Sequence, residues 1–179
     1  MSSGLYTQLE SRKKLTIKDI AVLAILAALL FVVQVGLGFL PNIELVSLLI
    51  IVYTLVWGRQ TLYIIYVFAV LEGLFYGFGI WWINYLYVWT ILYLVVSILI
   101  KNKSLIMWAI ISGSFGLSFG LLCAIPYTVA GGLGAGIAWW AAGIPYDIVH
   151  GIGNFSVALL LFRPVYYILD KLKGQSGNT

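Results

Sequence analysis

The apolar run from residue 20 to residue 39 is the feature that most constrains what this chain can fold into. A membrane-spanning helix needs roughly 20 consecutive apolar residues, and this run has that length. A cleaved signal peptide has a shorter apolar core, of roughly 7–15 residues, followed by a small-residue cleavage site. The run ends instead in Gly-Phe-Leu-Pro, so we interpret it as a retained membrane helix.

The rest of the chain has the same character, because 63% of its residues are hydrophobic and only 9% are charged. A soluble domain carries roughly 25% charged residues, which cover its water-facing surface. The sequence therefore predicts an all-α integral membrane protein whose surroundings are the lipid bilayer. At roughly 20 residues per crossing, the chain provides about six transmembrane helices and leaves no room for a soluble catalytic domain.

Proline, glycine and short basic turns divide the chain into six predicted helices. Pro41 is expected to stop the first helix, because the residue before a proline avoids the helical conformation. Pro145 is expected in the first turn of the last helix, where proline is favoured. A glycine-rich outer loop is predicted over residues 126–143. The predicted helices cover residues 18–39, 43–57, 60–76, 82–100, 104–125 and 145–172.

The basic residues fix the predicted orientation. With six helices, every lysine and arginine falls on one side of the membrane, and the positive-inside rule makes that side cytoplasmic. Both termini are then cytoplasmic. We expect one membrane domain over residues 1–179, with a cytoplasmic segment 1–17, a six-helix bundle 18–172 and a flexible tail 173–179. The basic residues are Arg12, Lys13, Lys14, Lys18, Arg59, Lys101, Lys103, Arg163, Lys171 and Lys173.

Polar side chains cluster in the predicted outer half, and the segment 143–155 is the richest part of that cluster. Asp147, His150 and Asn154 are spaced by three and four residues, so on a helix they share one face. Such a stripe cannot favourably face lipid. It either contacts a ligand or forms a hydrogen-bond network between helices. A metal site is not expected, because one histidine and scattered acids give no ligand spacing.

Four further polar residues belong to the candidate substrate site: Asn42, Glu44, Glu72 and Asn84. Glu44 lies near the start of the second predicted helix, where the helix dipole favours a carboxylate, and also at the mouth of a possible cavity. Glu72 lies one or two turns from its helix end, so helix capping does not explain a carboxylate at this position. Site lining and an internal hydrogen bond remain open for Glu72.

Trp81, Trp82, Trp139 and Trp140 complete the candidate substrate site. Tryptophan is enriched at membrane interfaces, which is one explanation for these pairs. The other is that two outer loops use them to cover a flat, partly apolar ligand. The glycines of residues 131–136 would make the second of these loops a flexible gate.

Other features exclude several functions. Cys123 is the single cysteine, which excludes an intramolecular disulfide and a multi-cysteine zinc site. No nucleophile–base arrangement and no ATPase motif is present, so the chain is not expected to be an enzyme. No cofactor and no nucleic-acid partner are expected. Small residues four apart permit close helix contact, either within the bundle or with a partner protein, at Ala24 and Ala28 and at Ser112, Gly116 and Gly120.

These residues together resemble a known family, the S components of energy-coupling factor (ECF) transporters, which belong to the ABC transporters. The resemblance rests on the size, the six predicted helices, the basic N-terminus and the Ala24-xxx-Ala28 motif. It also rests on the segments Pro-Asn-Ile-Glu-Leu-Val-Ser-Leu-Leu-Ile (41–50) and Gly-Ile-Pro-Tyr-Asp-Ile-Val-His-Gly-Ile-Gly-Asn-Phe (143–155). It covers nearly the whole chain.

The resemblance implies that the chain captures a vitamin from outside a prokaryotic cell, in whose membrane it resides. It further implies docking onto a transmembrane coupling subunit through Ala24 and Ala28, with two cytoplasmic ATPase subunits driving uptake. The family's ligand lies in the outer half, which overlaps the polar cluster.

The aromatic, weakly charged outer half leads to cobalamin as the expected ligand. A pyridoxine-, folate- or thiamin-like ligand, or a vitamin precursor, is the alternative, although the outer half has no basic residue for an anion. Two other functions remain open. A membrane enzyme would depend on Asp147 and His150, and a structural membrane protein would use the polar cluster only for helix packing.

Overall fold

The computed structural model describes residues 15–40 and 42–176, all of which form helices or the turns between them. Five helical stretches in this part of the chain are long and apolar enough to cross a membrane. The predicted all-α membrane class is therefore confirmed at this level. The helices are α1 Ile17–Gly36, α2 Val46–Trp57, α3 Thr61–Tyr76, α4 Ile80–Tyr85, α5 Val88–Ile98, α6 Leu105–Cys123 and α7 Ile125–Ser176.

The first helix begins where local chemistry favours a helix start. The Thr16 hydroxyl accepts the backbone N–H of Asp19, and the Asp19 carboxylate accepts the backbone N–H of Thr16. This capping box satisfies two N–H groups that have no partner within a helix. The predicted stop at Pro41 and the segment 1–14 lie outside the described residues, as do residues 177–179 of the predicted tail.

Helix α2 forms the centre of the bundle. It packs against α1, α3, α5, α6 and α7, and ten of its twelve residues are buried. A helix that is apolar all round is stable only when it is surrounded, which explains its continuous run of valine, leucine and isoleucine. A short 3₁₀ turn, Gly58–Gln60, then leads into α3, and Gly58 supplies the left-handed φ of 57° that this turn requires.

Helix α7 corrects the predicted outer loop. Residues 126–143 are helical, apart from one non-helical residue, Gly132, with φ 81° and ψ 174°. Residues 125–131 continue in the line of α6, and residues 133–176 return antiparallel to it. The stacked rings of Tyr127 and Trp139, 3.7 Å apart, mark this reversal. The loop prediction was wrong because a glycine can also serve close packing within helical structure, as at Gly136, where an added Cβ would lie 1.8 Å from Thr128 Oγ1.

Three other predicted boundaries also change. Pro145 lies inside α7 rather than in its first turn, and Pro164 lies inside it as well. Membrane helices tolerate an internal proline, because neighbouring groups satisfy the freed carbonyl. The predicted helix 82–100 is divided into α4 and α5 at residues 86–87, and α7 continues past residue 172 to Ser176.

The end of the bundle that carries the Arg59 turn and the last turn of α7 is called the basic end below. The Lys173 ammonium donates a hydrogen bond to the Val56 carbonyl, so α7 finishes beside the end of α2 and the Arg59 turn. Lys101 and Lys103 lie between the end of α5 and the start of α6. The site described below is lined by residues from the end of α1, the chain before α2, the end of α4, the start of α5, the later part of α6 and the middle of α7.

Candidate functional site

A cavity of about 220 Å³ lies at the end of the bundle opposite the basic end. The chain between α1 and α2 forms one side of it, and single side chains from α4, α5, α6 and α7 form the other. Its walls combine amide, carboxylate, imidazole and aromatic groups with a few apolar ones. The lining residues are Gln34, Leu37, Gly38, Leu40, Asn42, Ile43, Glu44, Tyr85, Trp89, Phe119 and His150.

Glu44 connects the cavity to the start of α2. Its Oε2 accepts the backbone N–H of Ser47 at 2.8 Å, which satisfies one of the free N–H groups in the first turn. Its Oε1 lies 3.4 Å from His150 Nε2 on α7. Burial alone raises the pKa of the Glu44 carboxyl, but the hydrogen bond and charge of His150, together with Ser47, hold that pKa below its ordinary value. Glu44 is therefore a carboxylate at neutral pH.

Asn42 has a backbone conformation that is unusual for a side-chain-bearing residue. Its φ is 58°, the one positive φ among the described residues other than glycine. Asparagine tolerates the left-handed conformation better than most residues. This conformation places Asn42 in the cavity wall, two residues before Glu44.

Four aromatic side chains from α4, α5, α6 and α7, which we call the aromatic wall, line the cavity together: Tyr85, Trp89, Phe119 and His150. Ring centroids lie 5.6 Å apart for Tyr85 and Trp89, 5.7 Å for Trp89 and Phe119, and 5.0 Å for Phe119 and His150. Tilted contacts at these distances are the stable arrangement for aromatic pairs. The wall is therefore rigidly packed, and its rings hold one another in place.

The structure separates the predicted stripe on α7 into different roles. His150 lines the cavity. Asp147 Oδ1 instead accepts the backbone N–H of Gly120 on α6 at 2.9 Å. Asn154 Nδ2 donates to Ser47 Oγ on α2 at 3.1 Å. Asp147 and Asn154 thus join α7 to its neighbours, as expected for polar groups that hold membrane helices together.

The remaining predicted site residues lie outside the cavity wall. The Trp82 indole N–H donates to the Ala69 carbonyl at 2.7 Å and so joins α4 to α3. Asn84 Oδ1 lies 2.8 Å from the Tyr87 hydroxyl. Trp81 packs edge-on against Tyr76 and Tyr85, Glu72 is buried in α3, and Trp139 and Trp140 are partly exposed on α7.

Of the predicted substrate residues, the structure thus brings together Asn42, Glu44 and His150. It adds Gln34, Tyr85, Trp89 and Phe119, which the sequence reasoning did not include. The sequence does contain a signal for Gln34, because this residue places an amide side chain within an apolar stretch of the first helix. Aromatic residues are too frequent in this chain for Tyr85 or Phe119 to be distinguished by sequence alone.

A metal centre is absent from the described residues, since no three His, Cys, Asp or Glu side chains converge there. The small residues of α6 face inward: a Cβ on Gly116 would lie 2.8 Å from the His150 backbone. Ala24 and Ala28 are exposed on α1, on the side away from the buried Leu23 and Ala27.

Comparison with known proteins returns no match: no family, no curated protein and no solved structure is similar to this chain. The function is therefore inferred from the site itself and from the sequence resemblance.

Proposed function

We propose that this chain is the S component of an ECF-type transporter, the subunit that captures a vitamin-type small molecule for ATP-driven uptake. The observation that carries the proposal is the cavity. Ligand sites in proteins are concave, lined by apolar and aromatic groups, and contain a few converging polar groups. The cavity at the end of this bundle has all three properties, with Glu44, His150 and Asn42 as the polar groups.

The proposed topology has six membrane crossings. They are α1, α2, α3, the pair α4 and α5, α6 with its continuation to residue 131, and the remainder of α7. The positive-inside rule then places the basic end and both termini in the cytoplasm of a prokaryotic cell. The cavity opens toward the outside in this orientation, which is where a capture subunit meets its ligand.

One feature of α1 supports the role of the chain within a larger transporter. Ala24 and Ala28 are exposed on α1, so a second membrane protein can approach this face closely. We propose that this face contacts the transmembrane coupling subunit, with two ATPase subunits bound on the cytoplasmic side. The chain is not an enzyme in this proposal, since the partner subunits hydrolyse ATP.

Cobalamin remains the predicted ligand. The cavity volume of about 220 Å³ is below the roughly 300–1,000 Å³ of pockets that hold drug-sized ligands. A corrinoid is larger than such ligands, so its binding requires the helices around the cavity to move apart. A smaller vitamin or a vitamin precursor fits with less rearrangement.

A structural membrane protein is the second candidate function. The hydrogen bonds from Asp147 to α6 and from Asn154 to α2 favour it, because these predicted site residues hold helices together. The two functions differ in what Glu44 does. A structural role confines Glu44 to the start of α2, whereas a transport role exposes its second oxygen to ligand.

The proposal is tested by the thermal stability of the purified chain in detergent against a panel of vitamins that includes cobalamin. A ligand that binds only the folded protein raises its melting temperature by mass action. One selective, saturable increase supports the S-component role and identifies the ligand. If no vitamin changes the melting temperature of the folded chain, the structural function is favoured instead.

A second experiment tests the docking surface on α1. The double variant Ala24→Trp, Ala28→Trp places two large side chains where close helix contact is proposed. We expect it to abolish uptake in cells while the isolated subunit still binds its vitamin. Normal uptake by this variant would contradict the proposed docking surface.

A further inference from the structure

The charge of the cavity wall restricts the ligands that it can hold. Among the described residues that line the cavity, Glu44 is the one carboxylate, and neither lysine nor arginine is present. The described lysines and arginines lie toward the basic end or outside the cavity wall. A buried charge without a partner is strongly unfavourable. An anionic ligand would therefore meet the Glu44 carboxylate, and the one basic side chain of the wall, His150, already contacts that carboxylate at 3.4 Å.

Glu44 also has unused hydrogen-bonding capacity. A carboxylate offers about four lone-pair positions. Ser47 N–H takes one on Oε2 at 2.8 Å, and the contact from Oε1 to His150 is long, at 3.4 Å. The carboxylate can thus accept a charge-assisted hydrogen bond from a ligand, which is about twice as strong as a neutral one.

The aromatic wall is suited to a positive charge as well. Trp89 contacts Tyr85 edge-on and Phe119 at a tilted angle, and all three rings belong to the cavity lining. The faces of such rings attract a cation within about 6 Å of the ring centroid, and cages of this kind bind organic ammonium groups. A carboxylate facing an aromatic wall is the combination that recognises such groups.

Trp89 supplies an independent sign that a ligand belongs here. Its side chain is 2% exposed, and its indole N–H has no hydrogen-bond partner among the described residues. A buried donor without a partner is costly, so most are satisfied by protein, water or ligand. Trp89 lines the cavity, but its indole nitrogen is itself buried, so a ligand reaches this donor only after the surrounding rings shift.

The cavity volume limits the size of a ligand that fits without rearrangement of the helices. A volume of about 220 Å³ corresponds to about seven water molecules at roughly 30 Å³ each. A group of one aromatic ring with a short substituent is of this order. An inorganic metal ion is a poor alternative, because no cluster of three ligating side chains exists among the described residues.

We infer that the cavity recognises a compact organic cation, namely an ammonium or protonated heteroaromatic group of about one ring. The inference rests on the proposed function, since it names the substrate class of the same site. Glu44 pairs with the positive charge, and the aromatic wall contacts the apolar surface of the ligand.

The test uses three probes of similar size and different charge: benzylammonium, benzyl alcohol and benzoate. We expect benzylammonium to raise the melting temperature of the detergent-purified chain saturably, and the other two to have little effect at equal concentration. Benzoate or benzyl alcohol stabilising the chain as much as benzylammonium would overturn the inference.

Variants show whether the effect arises in the cavity. Hydrogen bonds to charged groups are strong enough that Glu44→Gln should weaken benzylammonium binding roughly 10- to 100-fold. Glu72→Gln removes a buried carboxyl outside the cavity wall and is the matched control, for which we expect a smaller loss. If Glu44→Gln fails to fold, Phe119→Leu replaces it. Loss of one aromatic face should weaken binding roughly three- to tenfold. Equal losses in Glu44→Gln and Glu72→Gln, or none in Phe119→Leu, would contradict the site assignment.

The vitamin panel separates this inference from the proposed function. If a neutral or anionic vitamin stabilises the chain and benzylammonium does not, the S-component role stands and the cation inference fails. If folded protein responds to neither set of compounds, the proposed function fails with it.

Discussion

Gly116 lies where α6 and α7 approach most closely beside the site, and its replacement by alanine is the most informative test of this packing. A Cβ at this position would lie 2.8 Å from the carbonyl carbon and oxygen of His150. These are backbone atoms, so they cannot move away by rotating a side chain. The two helices must separate locally to accept the methyl group.

The size of the effect follows from that distance. Comfortable contacts between nonbonded carbon atoms lie at about 3.5–4.0 Å, so the required separation is on the order of 1 Å. Inserting a methyl group into a packed interior costs about 1–3 kcal/mol. Because His150 belongs to the displaced segment, its 3.4 Å contact with Glu44 should lengthen as well. Gly116→Ala should therefore lower stability and weaken ligand binding together.

The assay is the melting temperature of the detergent-purified variant, with Gly134→Ala as the control. Gly134 is helical and exposed, and a Cβ there meets nothing within 4 Å. Alanine in an open helical position is more stable than glycine by about 0.5–1 kcal/mol. We expect Gly116→Ala to melt lower than the wild type and Gly134→Ala to melt at the same temperature or higher. A Gly116→Ala protein as stable as wild type would refute the helix contact described here.

Two further predictions concern single contacts near the site. Trp82→Phe removes the hydrogen bond to α3 and should lower the free energy of unfolding by about 0.5–1.5 kcal/mol, measured by thermal unfolding. Trp81→Phe keeps an aromatic ring in edge-on contact and should change stability less. Equal effects of the two substitutions would contradict the role given to Trp82. The folded state holds the pKa of the Glu44 carboxyl below its ordinary value of 4.5. Its contribution to stability is therefore fully present above that value and is lost as the pH falls through the lower pKa of the folded state. Between roughly pH 7 and pH 3, the melting temperature of Glu44→Gln should therefore fall less steeply with decreasing pH than that of the wild type. Parallel curves of melting temperature against pH would contradict the lowered pKa of Glu44.

The membrane class and most helix positions could be predicted from the sequence, because apolar runs and turn residues are local signals. Residues 20–36 are an example: their apolar character and length specify a helix without any tertiary information. The glycine-rich segment 126–143 could not be predicted in this way. A glycine in a flexible loop and a glycine at a close helix contact look alike in sequence, and only the pairing of Gly136 with Thr128 distinguishes them.

Part of the candidate site could also be predicted from the sequence, because some of its residues are local signals and their packing is not. Glu44 and His150 are conspicuous in sequence, because a titratable group in an apolar region needs an explanation. Their approach to 3.4 Å depends on how α7 packs on α2, which no local pattern encodes. The same packing directs Asp147 and Asn154 toward other helices instead of the cavity.

We propose that the cavity beside Glu44 binds the ligand of the proposed transporter. The most direct test is calorimetric binding of the most stabilising vitamin to the wild-type chain and to Glu44→Gln. We predict saturable binding of one molecule per chain to wild type, and binding at least roughly tenfold weaker to the folded variant. Absence of saturable binding to wild type, or equal affinity in the two proteins, would contradict the claim.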